Sequence, residues 1–187
     1  MSSTTSSSYQ FPSIHDFPPF YTRQPTETTW QNQALQWSDL ILKYARHYRI
    51  FTLNLNQATT PGASPLFENT RIKRRLSLET LQEVIEFMVQ QGTAKWGDNK
   101  TEALLFWRKP DDWADLIAQW VIQSGLNNNI VTTYEIAHGE LAEGQEFYEI
   151  DHNVLLLAIQ VLVKRGVAQL FKGTDNENMG VKFFGIK

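Results

Sequence analysis

Hydrophobic residues recur at helical spacing in several separate stretches of the chain. The first stripe advances in steps of three and four residues, the spacing of an amphipathic helix, and consists of Trp37, Leu40, Ile41, Tyr44 and Tyr48. A later helix is expected to begin after Ser77, a favourable N-cap residue, and to end at Gly92. Its inward face is predicted to carry Leu78, Leu81, Val84 or Ile85, and Met88.

Shorter stretches between and after these helices favour strands. Residues 50–55 lean towards a strand, and residues 93–96 and 103–107 are predicted to form a hairpin around a turn-rich loop. Pro61, Gly62 and Pro65 interrupt the chain before that hairpin, and a short helical turn is predicted over residues 66–72.

The same pattern then starts again. The segment Trp37-Ser38-Asp39-Leu40-Ile41 returns 76 residues later as Trp113-Ala114-Asp115-Leu116-Ile117. Gly92, at the end of a predicted helix, has a counterpart 74 residues later in Gly166. Two landmarks with nearly equal offsets indicate one structural unit that is used twice.

The second unit gives the order of elements more completely. It is predicted to contain a helix over 111–124, a strand over 130–133, a short helix over 134–139, a long helix from the cap Asp151 to 165, and a hairpin over 167–184. Helix, strand, two helices and a hairpin within about 75 residues is the order of a winged-helix domain. We therefore predict an α+β, mostly helical chain with two tandem winged-helix domains, residues 17–109 and 110–187.

The residues before the first predicted helix have a different composition. Residues 1–16 are rich in Ser and Thr and are expected to form a disordered tail. The next nine residues, 17–25, contain three prolines, which disfavour a helix and favour an extended, polyproline-like backbone. The first domain is therefore predicted to begin with an extended proline-rich arm.

Composition and charge narrow the possible functions. The chain has 187 residues, no Cys, and 17 Lys and Arg against 20 Asp and Glu, for a net charge of -3. The absence of Cys excludes disulfides, thiolate metal sites and cysteine nucleophiles. The net charge does not suit non-specific adhesion to nucleic acid or to anionic lipid. We expect a cytoplasmic protein, without a secretory signal or a membrane-inserted segment.

Winged helices commonly bind DNA through their third helix, so DNA binding is one alternative function for this chain. In the first unit that helix is predicted to carry Glu79, Glu83 and Glu86 and no cation, which would repel phosphate. The corresponding helix of the second unit is apolar on nearly all sides.

The four His residues have no metal-ligand spacing, and no catalytic motif occurs. We predict no enzymatic activity, no catalytic residues, no cofactor and no metal site.

Two charged clusters remain. The basic run Arg71-Ile72-Lys73-Arg74-Arg75 is interpreted as a solvated turn, or as a contact with an acidic partner surface. The acidic run over residues 140–151 is interpreted as a solvated loop.

The candidate interaction motif lies in the arm and consists of Phe17, Pro18, Pro19, Phe20 and Tyr21. Paired prolines restrict the backbone before binding, which lowers the entropy lost on docking, and neighbouring aromatic residues supply a large apolar area. We predict a protein interface at these five residues. Two alternatives remain: the arm folds back onto its own domain, or its Pro-Pro-x-Tyr pattern is a ligand for WW domains.

Several short sequence motifs along the chain resemble those of a known family. They are the segment 17–25, Ser64-Pro65-Leu66-Phe67, Trp107-Arg108 with Pro110 and Trp113, Gln119-Trp120, Ser124-Gly125, Thr133-Tyr134-Glu135, Gly139-Glu140, Glu146-Phe147 and residues 180–184. Together they resemble the vacuolar protein-sorting-associated protein 25 family, the small subunits of the ESCRT-II endosomal sorting complex. The resemblance covers nearly everything after Phe17.

The resemblance implies a function in the sorting of ubiquitinated membrane cargo to multivesicular bodies. It implies two winged-helix domains without catalytic activity, and two copies per complex with one each of vacuolar protein-sorting-associated proteins 22 and 36. The motif at Pro18, Pro19, Phe20 and Tyr21 would dock on those two subunits. The second winged helix would recruit the ESCRT-III subunit vacuolar protein-sorting-associated protein 20 to the endosomal membrane.

Overall fold

The computed structural model describes residues 7–173, 175 and 178–187. The chain mixes helices with small antiparallel sheets and separates into two compact units between Trp107 and Arg108. This division lies two residues before the boundary expected from the sequence. Each unit has its own core and is described by itself.

The first unit begins with two 3-10 helices, Ser13–Asp16 and Pro18–Tyr21. The elements that follow are α1 (Glu27–Tyr48), β1 (Thr52–Asn54), α2 (Leu55–Ala58), β2 (Glu68–Asn69), β3 (Arg74–Arg75), α3 (Leu78–Gln90), β4 (Ala94–Trp96) and β5 (Glu102–Leu105). Strands β1, β5 and β4 form an antiparallel sheet in that order, and β2 and β3 form a separate hairpin.

The core of this unit lies where α1 and α3 pack together. Trp37 and Ile41 of α1 and Leu81 and Ile85 of α3 are completely buried. These residues recur every three or four positions, so each helix buries one stripe and leaves its other face to solvent. The inward faces predicted for both helices are confirmed except at Tyr48, which is exposed.

The second unit contains α4 (Pro110–Gln123), β6 (Ile130–Thr132), α5 (Thr133–His138), a 3-10 helix (Glu140–Ala142), α6 (His152–Lys164), β7 (Ala168–Phe171) and β8 (Gly180–Phe183). Its sheet has the order β6, β8, β7. In this sheet β8 lies in the middle and pairs with both β6 and β7. In the sheet of the first unit, β5 likewise lies between β1 and β4. Both units have the helix, strand, helix, helix, hairpin order of a winged helix, which confirms the tandem prediction.

Equivalent positions in the two units have equivalent roles. Gly92 and Gly166 follow α3 and α6 with φ values of 76° and 75°. Both close the helix in the left-handed region that glycine adopts without a Cβ penalty. At the other end, Ser77 Oγ accepts a hydrogen bond from Thr80 N at 3.2 Å, and Asp151 Oδ1 accepts one from Asn153 N at 2.9 Å. The caps predicted at Ser77 and Asp151 are confirmed.

One local prediction is wrong. Residues 66–72 do not form a helical turn; the chain instead enters the β2–β3 hairpin. Asn69 Oδ1 accepts a hydrogen bond from Arg71 N at 3.1 Å, which turns the backbone at the tip. Lys73 lies at a φ of 55°, and Leu76 N donates to Phe67 O at 2.8 Å to close the base.

No helix in the described part of the chain is both long enough and apolar enough to cross a bilayer.

Candidate protein-interaction site

The predicted interaction motif folds into a turn of its own. Pro18–Tyr21, here called the PPFY turn, is a 3-10 helix. Phe20 N donates to Phe17 O at 3.0 Å, and Thr22 N donates to Pro19 O at 3.2 Å. The polyproline conformation predicted here is wrong, because the φ that proline fixes also suits the first positions of a helical turn.

The two aromatic rings of the PPFY turn lie inside the first unit. Phe20 is 2% exposed and Tyr21 is 4% exposed. The Phe20 ring stacks on Trp37 of α1, with centroids 4.0 Å apart and planes 4° from parallel. Tyr21 meets Trp37 edge-on at 5.6 Å. The arm folds back onto its own domain, which was the alternative to an exposed arm.

Polar side chains of α1 satisfy the backbone of the turn. Trp37 Nε1 donates to Phe20 O at 2.9 Å. The buried Gln33 donates from Nε2 to Phe20 O at 2.7 Å and to Thr22 O at 2.9 Å, and its Oε1 accepts from Gln24 N at 3.1 Å. Since buried carbonyls without partners are costly, these bonds fix the position of the turn on α1.

A second polar cluster holds the segment just before the turn. Tyr21 OH donates to His15 O at 2.8 Å, and Asn69 Nδ2 donates to the same oxygen at 2.8 Å. His15 Nε2 lies 3.2 Å from Leu66 O, so that nitrogen carries the proton and donates. Burial lowers the pKa of His15 and raises that of Tyr21. The hydrogen bond from Arg71 lowers the pKa of Asp16.

Residues further towards the N-terminus also pack on the domain. The Phe11 ring stacks on His15 at 4.1 Å, and the Tyr9 ring meets Tyr44 edge-on at 5.4 Å. Tyr9 N donates to Tyr48 OH at 3.1 Å. The disorder predicted for residues 7–16 is therefore wrong, because aromatic contacts on α1 order this stretch. Residues 1–6 lie outside the described residues.

The outer side of the turn remains available to a partner. Phe17 is 53% exposed, Pro19 is exposed and Pro18 is half-buried. Phe17 and Pro19 border an open groove of about 380 Å³. Its lining consists of Ile14, Phe17, Pro19, Phe20, Gln24, Thr29, Asn32, Gln33 and Gln36. Of the five predicted site residues, the structure places Phe17 and Pro19 at the surface and Phe20 and Tyr21 in the core.

Sequence reasoning missed Gln33, His15 and Asn69, whose side chains hold the turn. For Gln33 a signal existed: it is a polar residue at a buried position of α1, four residues before Trp37. His15 and Asn69 are separated by 54 positions, and no local pattern indicated that they meet.

The solvent side of α3 does not offer a surface for DNA. Glu79 and Glu83 are exposed there. Glu83 Oε2 accepts from Arg23 Nε at 2.7 Å, and Glu86 accepts from Trp96 Nε1 at 2.9 Å. Carboxylates on the recognition helix repel phosphate.

The PPFY turn also lacks the extended backbone that a WW domain binds. Within the described ranges no three His, Asp or Glu side chains come together as a metal site would require.

Comparisons with known proteins agree over most of the chain. The family model described as ESCRT-II complex subunit matches residues 14–151. Vacuolar protein-sorting-associated protein 25 of Xenopus laevis is 41% identical, with 94% of this chain and 99% of the relative covered. The proteins of the same name from Dictyostelium discoideum and Homo sapiens are each 38% identical over 95% of this chain and cover 97% and 98% of the relatives.

Solved structures show the same likeness. The crystal structure of subunit VPS25 of ESCRT-II superposes with a TM-score of 0.81 at 28% identity, covering 91% of this chain and 97% of that one. A chain of the crystal structure of the endosomal complex ESCRT-II (VPS22/VPS25/VPS36) superposes with a TM-score of 0.77 at 29% identity, covering 90% of this chain and 96% of that one.

We expect Phe20→Ala to destabilise the first unit by about 3–5 kcal/mol, because the variant leaves a cavity on Trp37. The matched variant Phe17→Ala removes an exposed ring of the same size and should cost no more than about 0.5 kcal/mol. Denaturant unfolding followed by tryptophan fluorescence measures both. Equal losses for the two variants would contradict the burial described here.

We also expect the stability of the first unit to depend on His15 below neutral pH. Its pKa is lowered in the folded state, whereas the unfolded value is about 6.5. As the pH falls below about 6.5, the unfolded chain takes up a proton that the folded chain does not, so the free energy of unfolding decreases. This decrease stops once the pH passes the folded pKa. His15→Gln should lack this component when unfolding curves are compared at neutral and acidic pH; parallel pH profiles would contradict it.

Proposed function

The chain belongs to the ESCRT-II complex subunit family, and we propose on that basis that it is the small subunit that assembles with vacuolar protein-sorting-associated proteins 22 and 36. The observation that carries this proposal is the likeness of the whole fold to subunit VPS25 of ESCRT-II, together with the likeness to a chain of the solved ESCRT-II complex. The family match covers residues 14–151, which include the N-terminal segment from Ile14 and the whole sheet of the first unit.

The proposed contact with the core subunits uses the motif predicted from the sequence, with separate roles for its members. Phe17, Pro18 and Pro19 face the partner and fill a pocket on it. Phe20 and Tyr21 position them by anchoring the turn in the domain. Supporting this division, the Phe17 ring is half exposed on a turn whose carbonyls are bonded to Gln33 and Trp37. An apolar ring held on a fixed backbone loses little entropy on docking.

The second unit is proposed to recruit the ESCRT-III subunit vacuolar protein-sorting-associated protein 20. It has its own buried core around Trp113, Ile117 and Leu155, so it can present a surface without support from the first unit. It also exposes large apolar side chains at Ile130, Tyr134 and Leu141, which are of the type that protein interfaces bury.

The whole proposal is a non-catalytic adaptor in endosomal cargo sorting, present in two copies per complex. It acts at the cytoplasmic side of the endosomal membrane, to which the assembled complex is recruited. It needs no cofactor, since both of its tasks are protein binding.

We expect Phe17→Asp to weaken co-purification with the two core subunits by about thirtyfold or more, the loss typical of an interface anchor. The control Ile122→Asp places the same charge on another half-exposed apolar residue, in the second unit, and should assemble normally. Assembly of Phe17→Asp at the control level would remove the N-terminal turn from the interface.

We expect removal of residues 108–187 to abolish capture of the ESCRT-III subunit while the first unit still joins the core. The division between Trp107 and Arg108 makes this cut possible without dividing a core. Co-purification with the core subunits reports that the shortened chain is folded. Continued capture of the ESCRT-III subunit by the shortened chain would place that contact elsewhere.

A further inference from the structure

A buried histidine lies between the core of the first unit and the exposed ring of Phe17. His15 is 5% exposed, and its ring stacks on Phe11 with centroids 4.1 Å apart. The backbone carbonyl of His15 accepts hydrogen bonds from Tyr21 OH and from Asn69 Nδ2, each at 2.8 Å. Phe17 follows two residues later. The contacts of His15 therefore hold the stretch of backbone that carries Phe17.

The side-chain amide of Asn69 is fixed by three partners other than the imidazole. Its Nδ2 donates to His15 O at 2.8 Å and to Asp16 Oδ1 at 2.9 Å. Its Oδ1 accepts from Arg71 N at 3.1 Å. Turning the amide over would place Oδ1 against a carbonyl and a carboxylate, and Nδ2 against a backbone N–H, so that all three bonds would be lost. Asn69 therefore presents its NH2 group to the imidazole.

This orientation of Asn69 selects one protonation state of His15. Asn69 Nδ2 lies 3.3 Å from His15 Nδ1, so Nδ1 must be the unprotonated, accepting nitrogen. The single proton is on Nε2, which lies 3.2 Å from Leu66 O and donates to it. A second proton on Nδ1 would point at the NH2 group of Asn69, so that two donors would face each other. The site therefore fits the neutral imidazole and opposes the imidazolium.

Ionisable side chains lie near His15 on each neighbouring element. The Asp16 carboxylate favours the imidazolium, but it already forms an ion pair with Arg71 of the β2–β3 hairpin. Tyr21 of the PPFY turn meets the imidazole edge-on at 5.8 Å and stays neutral, since burial raises the pKa of its hydroxyl. Burial also raises the pKa of Tyr44 of α1, behind the stacked phenylalanine. Desolvation outweighs the carboxylate, so the pKa of His15 is lowered.

We propose that His15 is a proton-sensitive positioning residue: when its imidazole gains a second proton, residues 13–17 detach from the domain and Phe17 loses its fixed position. Phe17 N donates to Ile14 O at 3.0 Å, at the end of the 3-10 helix that contains His15. These residues therefore form one short backbone unit that is released together. The stacked ring of Phe20 contacts no ionisable group in its stack and stays in place, so the release is local.

The consequence for assembly rests on the proposed contact of Phe17 with the core subunits. A ring that is no longer held in position loses more entropy on docking, so acid should weaken the assembly. In the detached segment the imidazole has its ordinary pKa of about 6.5. Each pH unit below that value favours the detached segment by up to about tenfold, until the pH passes the lower pKa of the attached state. At neutral pH and above, the segment stays attached.

The test measures hydrogen exchange of the Phe17 amide in the full chain by NMR, at about pH 7.5 and about pH 5.5, after correction for the intrinsic exchange rate. Its opening equilibrium should rise by about tenfold between the two pH values. The amide of Leu105, which donates to Phe51 O in the first unit, reports unfolding of the whole unit and should be better protected at both pH values. Equal protection of the two amides would show that the segment is released only by global unfolding, and would overturn the proposal.

Two matched variants separate the charge of His15 from its shape. His15→Gln keeps a neutral donor and acceptor, so the Phe17 amide should stay protected at about pH 7.5 and should not open further in acid. His138→Gln removes an exposed histidine of the second unit and should keep the acid response of the unmodified chain. An acid response that persists in His15→Gln would overturn the proposal. So would loss of protection in His15→Gln already at neutral pH, which would assign the segment's position to the shape of the imidazole.

Co-purification with the core subunits at the same two pH values tests the consequence for assembly. The unmodified chain should assemble more weakly in acid by up to about tenfold, whereas His15→Gln should assemble equally at both. Acid-promoted exchange at Phe17 without a change in assembly would remove the link between His15 and the interface. Absence of assembly at either pH would instead contradict the proposed function, and the exchange measurement, which uses the chain alone, would still decide whether His15 releases the segment.

Discussion

The stacking of Phe20 on Trp37 is the contact on which the functional surface depends. Trp37 is the centre of the first core, and it receives the Phe20 ring at 4.0 Å while its indole nitrogen donates to the Phe20 carbonyl. One side chain therefore fixes both the ring and the backbone of the PPFY turn. The outward direction of Phe17 and the burial of Tyr21 follow from that anchor, because a 3-10 turn leaves few alternatives for adjacent residues.

In the second unit the equivalent tryptophan ring is covered by a different kind of side chain. Trp113 is the sequence counterpart of Trp37, and the Arg108 guanidinium lies 4.7 Å from its ring centroid, where the first unit has Phe20. In each unit the segment before the first helix covers the tryptophan, once with a stacked aromatic ring and once with a cation. In both units the tryptophan ring is therefore covered, but the residue that covers it differs. The charge of the connection between the second and third helices also differs between the two units.

Periodicity predicted most of the architecture and little of the N-terminal segment. The stripes containing Trp37 and Leu81, the cap at Asp151 and the repeat of Gly92 at Gly166 are local signals, and each has the structural role expected. The conformation of the PPFY turn is not local. Prolines at its first two positions are compatible with either a polyproline or a 3-10 backbone, and the choice is made by Trp37 and Gln33, which lie 17 and 13 residues from Phe20.

The buried position of Phe20 also constrains how a partner can use the motif. If a partner bound the Phe20 and Tyr21 rings directly, both would first have to leave Trp37. A buried phenylalanine contributes about 3–5 kcal/mol, so the population of the binding-competent state would lie between about 1 molecule in 150 and about 1 in 5,000. The apparent affinity would fall by the same factor. Binding through Phe17 and Pro19 requires no such step, since the groove of about 380 Å³ beside them is already open. The energetic cost of exposing Phe20 and Tyr21 therefore favours a partner that binds the outer side of the preformed turn.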